Sequence, residues 1–371
     1  MTSLLPLVLI ASFTAPQEAK IAERDLPRAI DAFVQPFIKD DKFWGAILVA
    51  KNGRPIYQKA SGYAHLGHKV PNKIDTKFNL ASMGKMITAV AVAQLVESGK
   101  LSFDKPIGTY APDLANKDLK ERVTLHHLLN HTSGVPDIFT EEFFNGPRDK
   151  YRELADYLPL FIDKPLLFEP GSKTQYSNGA FCLAGYLVEK ASGMPYWDYV
   201  RKNVFGPAGM KDSGPFEMDV DTPNLAYGYT LEGPEGPFKD GKLRNNLYPH
   251  SIKGTPAGGS FSTVGDLLRF SESLKQGKIL SKAGFEKLVT PHGALGPNAP
   301  YGYGFFVREL PGGDKVVGHS GGFPGISSRM DVYLKSGWTV IALCNRDSGA
   351  DVFTSRMRKM LLEELKTADR E

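Results

Sequence analysis

The sequence predicts an α+β protein in which one antiparallel sheet is built from both ends of the chain. Strand-like runs occur near the N-terminal end and again in the final third. Within each group, short glycine-containing turns join the runs, which implies antiparallel pairing. Short helical patterns rich in Pro, Gly and Asn fill the middle of the chain. We therefore predict a discontinuous sheet domain, 21–100 with 255–371, and a mainly helical domain at 101–254.

Residues 1–20 are predicted to be a signal peptide. The apolar run at 4–13 is too short to span a bilayer but has the length of a signal-peptide core, although no Lys or Arg precedes it. This run favours a periplasmic or secreted protein, with a cytoplasmic location as the alternative. No other segment of the sequence is long and apolar enough to be predicted to cross a membrane.

The first elements after this run are a helix, predicted at about 21–39, and a β-hairpin. The hairpin is predicted because the strand-like runs at 45–51 and 55–63 flank Asn52-Gly53. Further helices are predicted at 79–99, 125–129, 180–191, 263–276 and 351–366. Further strands are predicted at 302–309, 315–319, 326–334 and 338–344.

Charge and composition exclude several classes of function. The chain has 371 residues, of which 42% are hydrophobic and 23% charged, with a formal net charge of +4. These values are ordinary for a globular protein, and no block of like charges marks a site for nucleic acid or an anionic membrane. Cys182 and Cys344 lie in apolar segments and are predicted to be buried thiols rather than a disulfide framework. The oligomeric state is left open.

The helix predicted at 79–99 carries the first candidate site at its start. Thr88 is the one polar residue at 86–93, so apolar side chains point in every direction and the helix is predicted to be buried. Ser82 and Lys85 lie three residues apart and share one face. The helix dipole favours negative charge there, and burial lowers the pKa of the lysine, so the amine can take a proton from the serine. Taken alone, S-x-x-K is more often a cap beside a solvated lysine.

A second candidate site is Tyr176-x-Asn178, in a polar, turn-forming segment directly before the helical pattern at 180–191. A phenol can pass protons, and an amide can orient a substrate or a lysine. The alternative interpretation is that the segment only caps the helix.

Two other motifs are rejected as sites. The G-x-S-x-G pattern at 318–322 matches a nucleophile elbow around Ser320, but its glycines and proline cannot start a helix at once, and no histidine follows it. His126, His127 and His131 form a cluster, and 127 and 131 could share one helix face. Because the H-E-x-x-H pattern is absent, we predict structural histidines and no metal site.

Three motifs, in this order and spread, resemble those of the serine β-lactamase-like, or penicillin-recognising, proteins. They are Ser82-x-x-Lys85, Tyr176-x-Asn178 and His319-Ser320-Gly321. The branch they resemble holds class C β-lactamases, D-alanyl-D-alanine peptidases, D-aminopeptidases and β-lactamase-like esterases. Segments 128–136 and 256–263 are similar to supporting segments of this family. The resemblance covers about 31–366 and implies an antiparallel sheet flanked by helices, beside an all-α domain, with the cleft between them.

The resemblance also implies catalytic roles. Ser82 would be acylated, and Lys85 would lower the proton affinity of the serine. Tyr176 would act with Lys85 as base and then as acid. Asn178 would hold a substrate amide or the Lys85 amine. No metal or other cofactor is implied.

On the substrate side, the resemblance implies an oxyanion hole made by the backbone N–H groups of Ser82 and Gly322. His319, Ser320 and Gly321 would belong to the substrate-binding strand. The β-lactamases place a lysine where this chain has His319. A lysine is a fixed cation that can anchor a carboxylate, whereas an unperturbed histidine is mostly neutral at pH 7. This departure favours the peptidase, aminopeptidase and esterase members over the β-lactamases.

The sequence therefore predicts a metal-free serine hydrolase that works through an acyl-enzyme on carboxylic esters or small amides. The first alternative is a D-alanyl-D-alanine carboxypeptidase or D-aminopeptidase, and the second is a β-lactamase. A non-catalytic protein of the penicillin-binding type is a third possibility from a different class. The complete Ser, Lys, Tyr and Asn set argues against it, since a binding module does not need a lysine beside the serine. The predicted partner is a small ester, amide or peptide.

Overall fold

A computed structural model of the chain describes residues 20–233 and 236–365. The predicted signal-peptide run at 4–13 lies outside the described residues. Within the described ranges, no helix combines the length and apolar character that a membrane span requires.

The helices of the described chain include several of only one or two turns. The α-helices are α1 (Leu26–Lys39), α2 (Gly84–Glu97), α3 (Lys117–Arg122), α4 (Leu125–Leu129), α5 (Glu141–Asn145), α6 (Leu154–Tyr157), α7 (Asn178–Ser192), α8 (Tyr196–Val200), α9 (Gly206–Ala208), α10 (Val264–Lys275), α11 (Lys282–Leu288) and α12 (Ala350–Lys359). A 3₁₀ turn, Ala81–Met83, precedes α2, and π-helical turns follow α8 (Arg201–Phe205) and α12 (Met360–Glu364).

The strands concentrate at the two ends of the chain. They are β1 (Gly45–Lys51), β2 (Arg54–Ser61), β3 (Tyr63–His65), β4 (Val70–Pro71), β5 (Phe78–Asn79), β6 (Tyr229–Thr230), β7 (Glu232–Gly233), β8 (Gly236–Pro237), β9 (Arg244–Asn245), β10 (Phe261–Ser262), β11 (Gly293–Ala294), β12 (Pro300–Tyr301), β13 (Phe306–Glu309), β14 (Lys315–Phe323), β15 (Ile326–Tyr333) and β16 (Trp338–Cys344).

The main sheet joins both ends of the chain. Among the described residues its order is β11-β12-β13-β14-β15-β16-β1-β2, and each neighbouring pair is antiparallel. The N-terminal hairpin meets the C-terminal strands where β1 pairs with β16, with Val49 opposite Val340. This arrangement confirms the predicted α+β class with a large antiparallel sheet flanked by helices.

Helices cover both faces of this sheet, so β1, which lies between β16 and the edge strand β2, is buried on both sides. Along β1, Ala46, Leu48 and Ala50 belong to the apolar cluster that contains α2, α7 and α10. Ile47 and Val49 belong to the cluster under α1 and α12. Successive strand residues point to opposite faces, which explains why the whole run from Gly45 is apolar.

The helix that carries the first candidate site lies inside the larger cluster. Every residue of α2 from Gly84 to Ala93 is buried. Gly99, with φ of +74°, follows its end, as glycine does at positions just past a helix. The all-round apolar pattern therefore predicted the burial of this helix correctly.

Two strands, β13 and β14, differ from the predicted bounds by four residues at one end, while the other predicted strands differ by two residues or fewer. β14 continues past His319 to Phe323, because Ser320 to Phe323 pair with β15 before the turn at Pro324-Gly325. β13 begins only at Phe306, because Gly304 has a positive φ of 73° and turns the chain just before it. Glycines can turn a chain, but in β14 they lie inside a paired strand.

The division into two domains remains a prediction. The described residues of 101–254 form one long helix, α7, together with short helices, turns and small strand pairs. Their buried side chains, such as Leu128 and Leu183, belong to the same apolar cluster as Leu48 and Ile341 of the sheet. This shared core fixes the position of the middle segment against α2, where the candidate site lies.

Candidate active site

Ser82 lies in the 3₁₀ turn that leads into α2, and the surrounding backbone fixes this turn. Ala81 has φ of +43°, an uncommon value for a residue with a Cβ atom. Its N–H donates to Asn79 Oδ1 at 2.8 Å. Gly258 packs so close to the turn that a Cβ atom there would lie 2.3 Å from Ala81 O. A strained turn held by its neighbours is a frequent feature of functional sites.

Lys85 is the second residue of α2, and it is 0% exposed. Its Nζ atom lies 2.7 Å from Asn178 Oδ1, 2.6 Å from Ala257 O and 3.2 Å from Ser82 Oγ. Burial lowers the pKa of Lys85 to about 7, while the Asp137 carboxylate acts in the opposite direction. The amine can therefore lose its proton near neutral pH, as the sequence predicted.

The three partners of Lys85 decide where the lone pair of the neutral amine points. A neutral amine has two N–H donors and one lone pair. The Ala257 carbonyl and Asn178 Oδ1 can only accept, so they take the two N–H groups. The lone pair then faces Ser82 Oγ, whose hydroxyl can donate to it. This is the geometry that a general base for the serine requires.

Asn178 is the first residue of α7, and its amide is held from behind by Asp137. Ser177 caps this helix by accepting from the backbone N–H of Ala180. The Asn178 backbone N–H and Nδ2 each donate to Asp137 Oδ2 at 3.0 Å. The amide oxygen is thereby turned toward Lys85.

Tyr176 lies between Ser82, Lys85 and a buried histidine. Its ring centroid is 4.7 Å from Lys85 Nζ, and the ring stacks on His131 with centroids 4.3 Å apart. Burial raises the pKa of Tyr176, and a hydrogen bond with Ser82 opposes that rise. The structure thus brings Ser82, Lys85, Tyr176 and Asn178 into one group.

His319 lies behind this group and has no nitrogen to offer a ligand. Its Nδ1 contacts the Ser320 carbonyl, which can only accept, so Nδ1 carries the hydrogen. Its Nε2 is then an acceptor, and it lies 3.0 Å from the hydroxyl of Tyr301. Burial, with Lys85 nearby, lowers the pKa of His319 to about 3. The side chain is 3% exposed and remains neutral at working pH.

The next three residues of β14 differ in their surroundings. Ser320 lies opposite Arg329 and lines a cavity with it on the face of the sheet under α12. Gly321 packs against the Ser82 turn so tightly that a Cβ atom would lie 2.1 Å from Leu80 O. Gly322 is exposed, with open space where a side chain would be, and it lines the same pocket as Ser82.

The pocket beside Ser82 is lined by apolar and aromatic side chains and by small residues such as Gly258 and Gly259. Ile138, Phe139, Phe323 and His250 form the apolar side. Its lining, which falls wholly within the described ranges, includes no Lys, Arg, Asp or Glu. Burial lowers the pKa of His250, so this imidazole is neutral as well. The pocket therefore suits an uncharged group attached to the reacting carbonyl.

Three contributors to the site were not found in the sequence. Asp137 directly follows segment 128–136. Its position after Gly-Val-Pro was a signal in the sequence that could have identified it. The Ala257 carbonyl belongs to segment 256–263, but a backbone acceptor leaves no side-chain signature. Tyr301, which donates to His319, lies one residue before the strand predicted at 302–309 and carried no motif.

Two rejected motifs can be compared with the structure. Residues 318–322 lie within β14, which pairs onward to Phe323, so the strand–turn–helix geometry of an elbow is not formed there. His127 and His131 do not share a helix face, because α4 ends at Leu129, as predicted, and His131 has φ of +63°. In the described ranges, no three His, Cys, Asp or Glu side chains are grouped to hold a metal.

The fold and the site together define a serine hydrolase of the β-lactamase fold. The chain belongs to the β-lactamase family, whose model, described as Beta-lactamase, matches residues 30–364. A penicillin binding protein from Bacillus halodurans has a crystal structure that is 34% identical in sequence, with a TM-score of 0.80, covering 88% of this chain and 98% of that one.

Two further relatives carry names of different activities. D-amino acid amidase from Ochrobactrum anthropi SV3, solved with L-phenylalanine amide, is 26% identical with a TM-score of 0.75, covering 91% of this chain and 97% of that one. Esterase EstB of Burkholderia gladioli is 32% identical over 219 residues, which is 56% of each chain.

Proposed function

We propose that this protein hydrolyses carboxylic esters or small amides through an acyl-enzyme on Ser82. The observation that carries the proposal is the position of Lys85. Its amine is buried, has a pKa of about 7, and is held by two fixed acceptors so that its lone pair faces Ser82 Oγ. A solvated lysine beside a helix cap would show none of these three features.

In the proposed reaction, Lys85 Nζ takes the Ser82 proton as Oγ attacks the substrate carbonyl. The backbone N–H groups of Ser82 and Gly322 would stabilise the oxyanion that forms. Tyr176, in contact with both Ser82 and the amine, would pass the proton to the leaving group, and the C–O or C–N bond then breaks. A water molecule would attack the acyl-enzyme in the same way and release the acid.

The lining of the pocket supports uncharged substrates. It contains no cation to pair with a carboxylate, and His319 is neutral with both nitrogens occupied. An apolar acyl group can instead pack on Phe139 and Phe323. The likeness to proteins named as an esterase and an amidase supports the same two substrate classes. We extend the proposal to a periplasmic or secreted location on the strength of the N-terminal run at 4–13.

The test is the intact mass of the protein after separate exposure to a fluorophosphonate, a chromogenic ester and a penicillin. We expect fluorophosphonate to add once, at Ser82, and the ester to be turned over. Ser82→Ala should prevent both. A label on Ser320 would overturn the assignment of the nucleophile. Rapid turnover of penicillin with none of the ester would replace the proposed function with a β-lactamase. Binding of penicillin without turnover of any substrate would indicate a non-catalytic protein.

A further inference from the structure

Asp137 does not itself line the pocket beside Ser82, yet its carboxylate is almost wholly occupied by hydrogen bonds to two residues that do, Asn178 and Phe139. Oδ2 accepts from the backbone N–H and from Nδ2 of Asn178, both at 3.0 Å. Oδ1 accepts from the backbone N–H of Phe139, also at 3.0 Å, and lies 3.3 Å from Asn178 Nδ2. One side chain thus ties the start of α7 to the loop that carries Phe139.

These contacts decide the orientation of the Asn178 amide. A carboxylate can only accept, so the NH₂ group of the amide must face Asp137. The amide oxygen is then forced toward Lys85, which it meets at 2.7 Å. If the amide were reversed, its NH₂ group would face the amine, and the lone pair of Lys85 would be drawn away from Ser82.

We propose that Asp137 is a positioning residue that locks the Asn178 amide and, through it, aims the Lys85 amine at Ser82. The proposal rests on the proposed function, because it assigns Asp137 a part in the same reaction. Asp137 itself touches neither the reacting atoms nor the substrate. Its effect passes through one amide, from Oδ2 to Nδ2 and from Oδ1 to Nζ.

Asp137 acts on Lys85 through its negative charge as well as through its hydrogen bonds to Asn178. The titratable groups that face Lys85 from other elements are Tyr176, Cys182, His131 and His319. Burial raises the pKa of the tyrosine and of the thiol, and lowers the pKa of both imidazoles, so all four are neutral near pH 7.

Among the described residues, the Asp137 carboxylate therefore contributes most to opposing the effect of burial on the pKa of Lys85. It raises the pKa of the amine toward the working pH, and a general base is most effective when its pKa lies near that pH. Without it, the amine would be a weaker base.

The alternative is that Asp137 only stabilises the loop by accepting backbone hydrogen bonds. Asp314 supplies a matched control for that role. Asp137 accepts from two backbone N–H groups, those of Asn178 and Phe139. Asp314, in the turn before β14, accepts from three: Lys315 beside it, and Lys335 and Ser336 in the turn between β15 and β16. A purely structural aspartate should respond to Asp→Asn in the same way at both positions.

The experiment compares Asp137→Asn with Asp314→Asn in the full chain, using the pH profile of kcat/KM for an activated neutral ester. An asparagine at 137 removes the negative charge, so we expect the acid limb to move to lower pH. It also places an NH₂ group against the donors of Asn178 or Phe139. We expect kcat to fall roughly 10- to 100-fold, the loss that is typical when a residue that orients a metal ligand is removed from a metal site. Asp314→Asn should leave the acid limb in place, and an equal response of both variants would overturn the proposal.

A charge exchange keeps the proposal testable if Asp137→Asn does not fold. In Asp137→Asn/Asn178→Asp, an amide still faces a carboxylate, but the charge now lies directly beside Lys85. The pKa of the amine should rise, and the acid limb should move to higher pH, opposite to the single variant. An acid limb of the double variant that moves to lower pH than in the wild type, or that does not move, contradicts the proposal.

One readout does not depend on turnover. In protein labelled with [ε-¹³C]lysine, the Lys85 signal, assigned by its loss in Lys85→Met, should titrate with a midpoint of about 7 in the wild type. The midpoint should be lower in Asp137→Asn. If the midpoint shifts while the wild type neither turns over substrate nor is labelled at Ser82, the proposed function fails and the positioning of Lys85 stands. If substrate is turned over and the midpoint does not shift, the positioning role fails.

Discussion

The two walls of the pocket around Ser82 differ in where they carry charge. One wall is formed by the starts of α2 and α7, and it contains Lys85 with the Asp137 carboxylate behind Asn178. The other wall is β14, which presents the backbone of Gly322 and the ring of Phe323. Its histidine, His319, is turned inward and held neutral.

Because the two walls differ in charge, proton transfer and substrate contact can be carried out by different parts of the pocket. Under the proposed function, proton transfer belongs to the α2 and α7 wall, where burial brings the pKa of Lys85 to about 7. Contact with the substrate belongs to β14, whose glycine backbone offers N–H donors without a cation. The wall that reacts is charged, and the wall that selects is not. Each prediction below is directed at one of the two walls.

The largest effect should come from removing the nucleophile. Ser82→Ala leaves no group that Lys85 can deprotonate, and we expect kcat for an activated ester to fall at least about a thousandfold. Because Ser82 is only partly buried and the substitution is small, the melting temperature should stay within a few degrees. The comparison is steady-state turnover beside thermal unfolding on the same preparation. Residual turnover close to wild type would place the nucleophile elsewhere.

The next effect concerns the two groups that share the serine proton. Lys85→Ala and Tyr176→Phe should each lower kcat roughly 100- to 1,000-fold, because general acid–base groups contribute on this order. Since the proton passes through both, the double variant should lose little more than either single variant. The kcat values of all three are compared with the wild type. Losses that multiply in full would show that the two residues act independently.

The sequence predicted the charged wall better than the uncharged one. Ser82 and Lys85 are linked by helix spacing, and the all-round apolar pattern of α2 indicated that the lysine would be buried. Local periodicity contains that information. Whether the amine would be fixed by Asn178 and Ala257 depended on contacts across 93 and 172 residues of chain, which no local pattern encodes.

The fold shows the same limit. The hairpin at β1 and β2 and the antiparallel order of β13 to β16 follow from alternation and short turns, which are local signals. That β1 would pair with β16 had to be inferred from the strands lying at both ends of the chain. The exact reach of β14 was missed, because its glycines resemble a turn unless the partner strand is known.

The pH dependence of activity tests the charged wall without a substitution. The neutral form of Lys85 is the proposed base, and its pKa of about 7 lies well below the ordinary value of 10.5. As the pH falls below about 7, a growing fraction of the amine is protonated, so kcat/KM for a neutral ester should decline roughly tenfold per pH unit. His319 should not add a limb above pH 5, because burial lowers the pKa of its imidazole to about 3. Constant kcat/KM between pH 5 and 8 would contradict this role for Lys85.

The smallest effect should come from placing a cation on the uncharged wall. His319→Lys replaces a neutral ring with a longer chain that ends in an ammonium, and we expect this cation to reach a substrate carboxylate. A charge-assisted hydrogen bond to a substrate carboxylate is worth about 1.5–3 kcal/mol, or roughly ten- to a hundredfold in kcat/KM. A cephalosporin should gain by that factor relative to a neutral ester assayed on the same protein.

His319→Lys should also change the stability of the protein and the pKa of Lys85, and these changes must be separated from an effect on selectivity. The Tyr301 hydroxyl loses its acceptor, so the melting temperature should fall. A second cation near Lys85 should lower the pKa of that amine further and move the acid limb to lower pH for both substrates. The selectivity therefore has to be read as the ratio of the two substrates at one pH above the limb. An unchanged ratio, in a variant whose limb has moved, would show that position 319 acts on Lys85 but does not select the substrate.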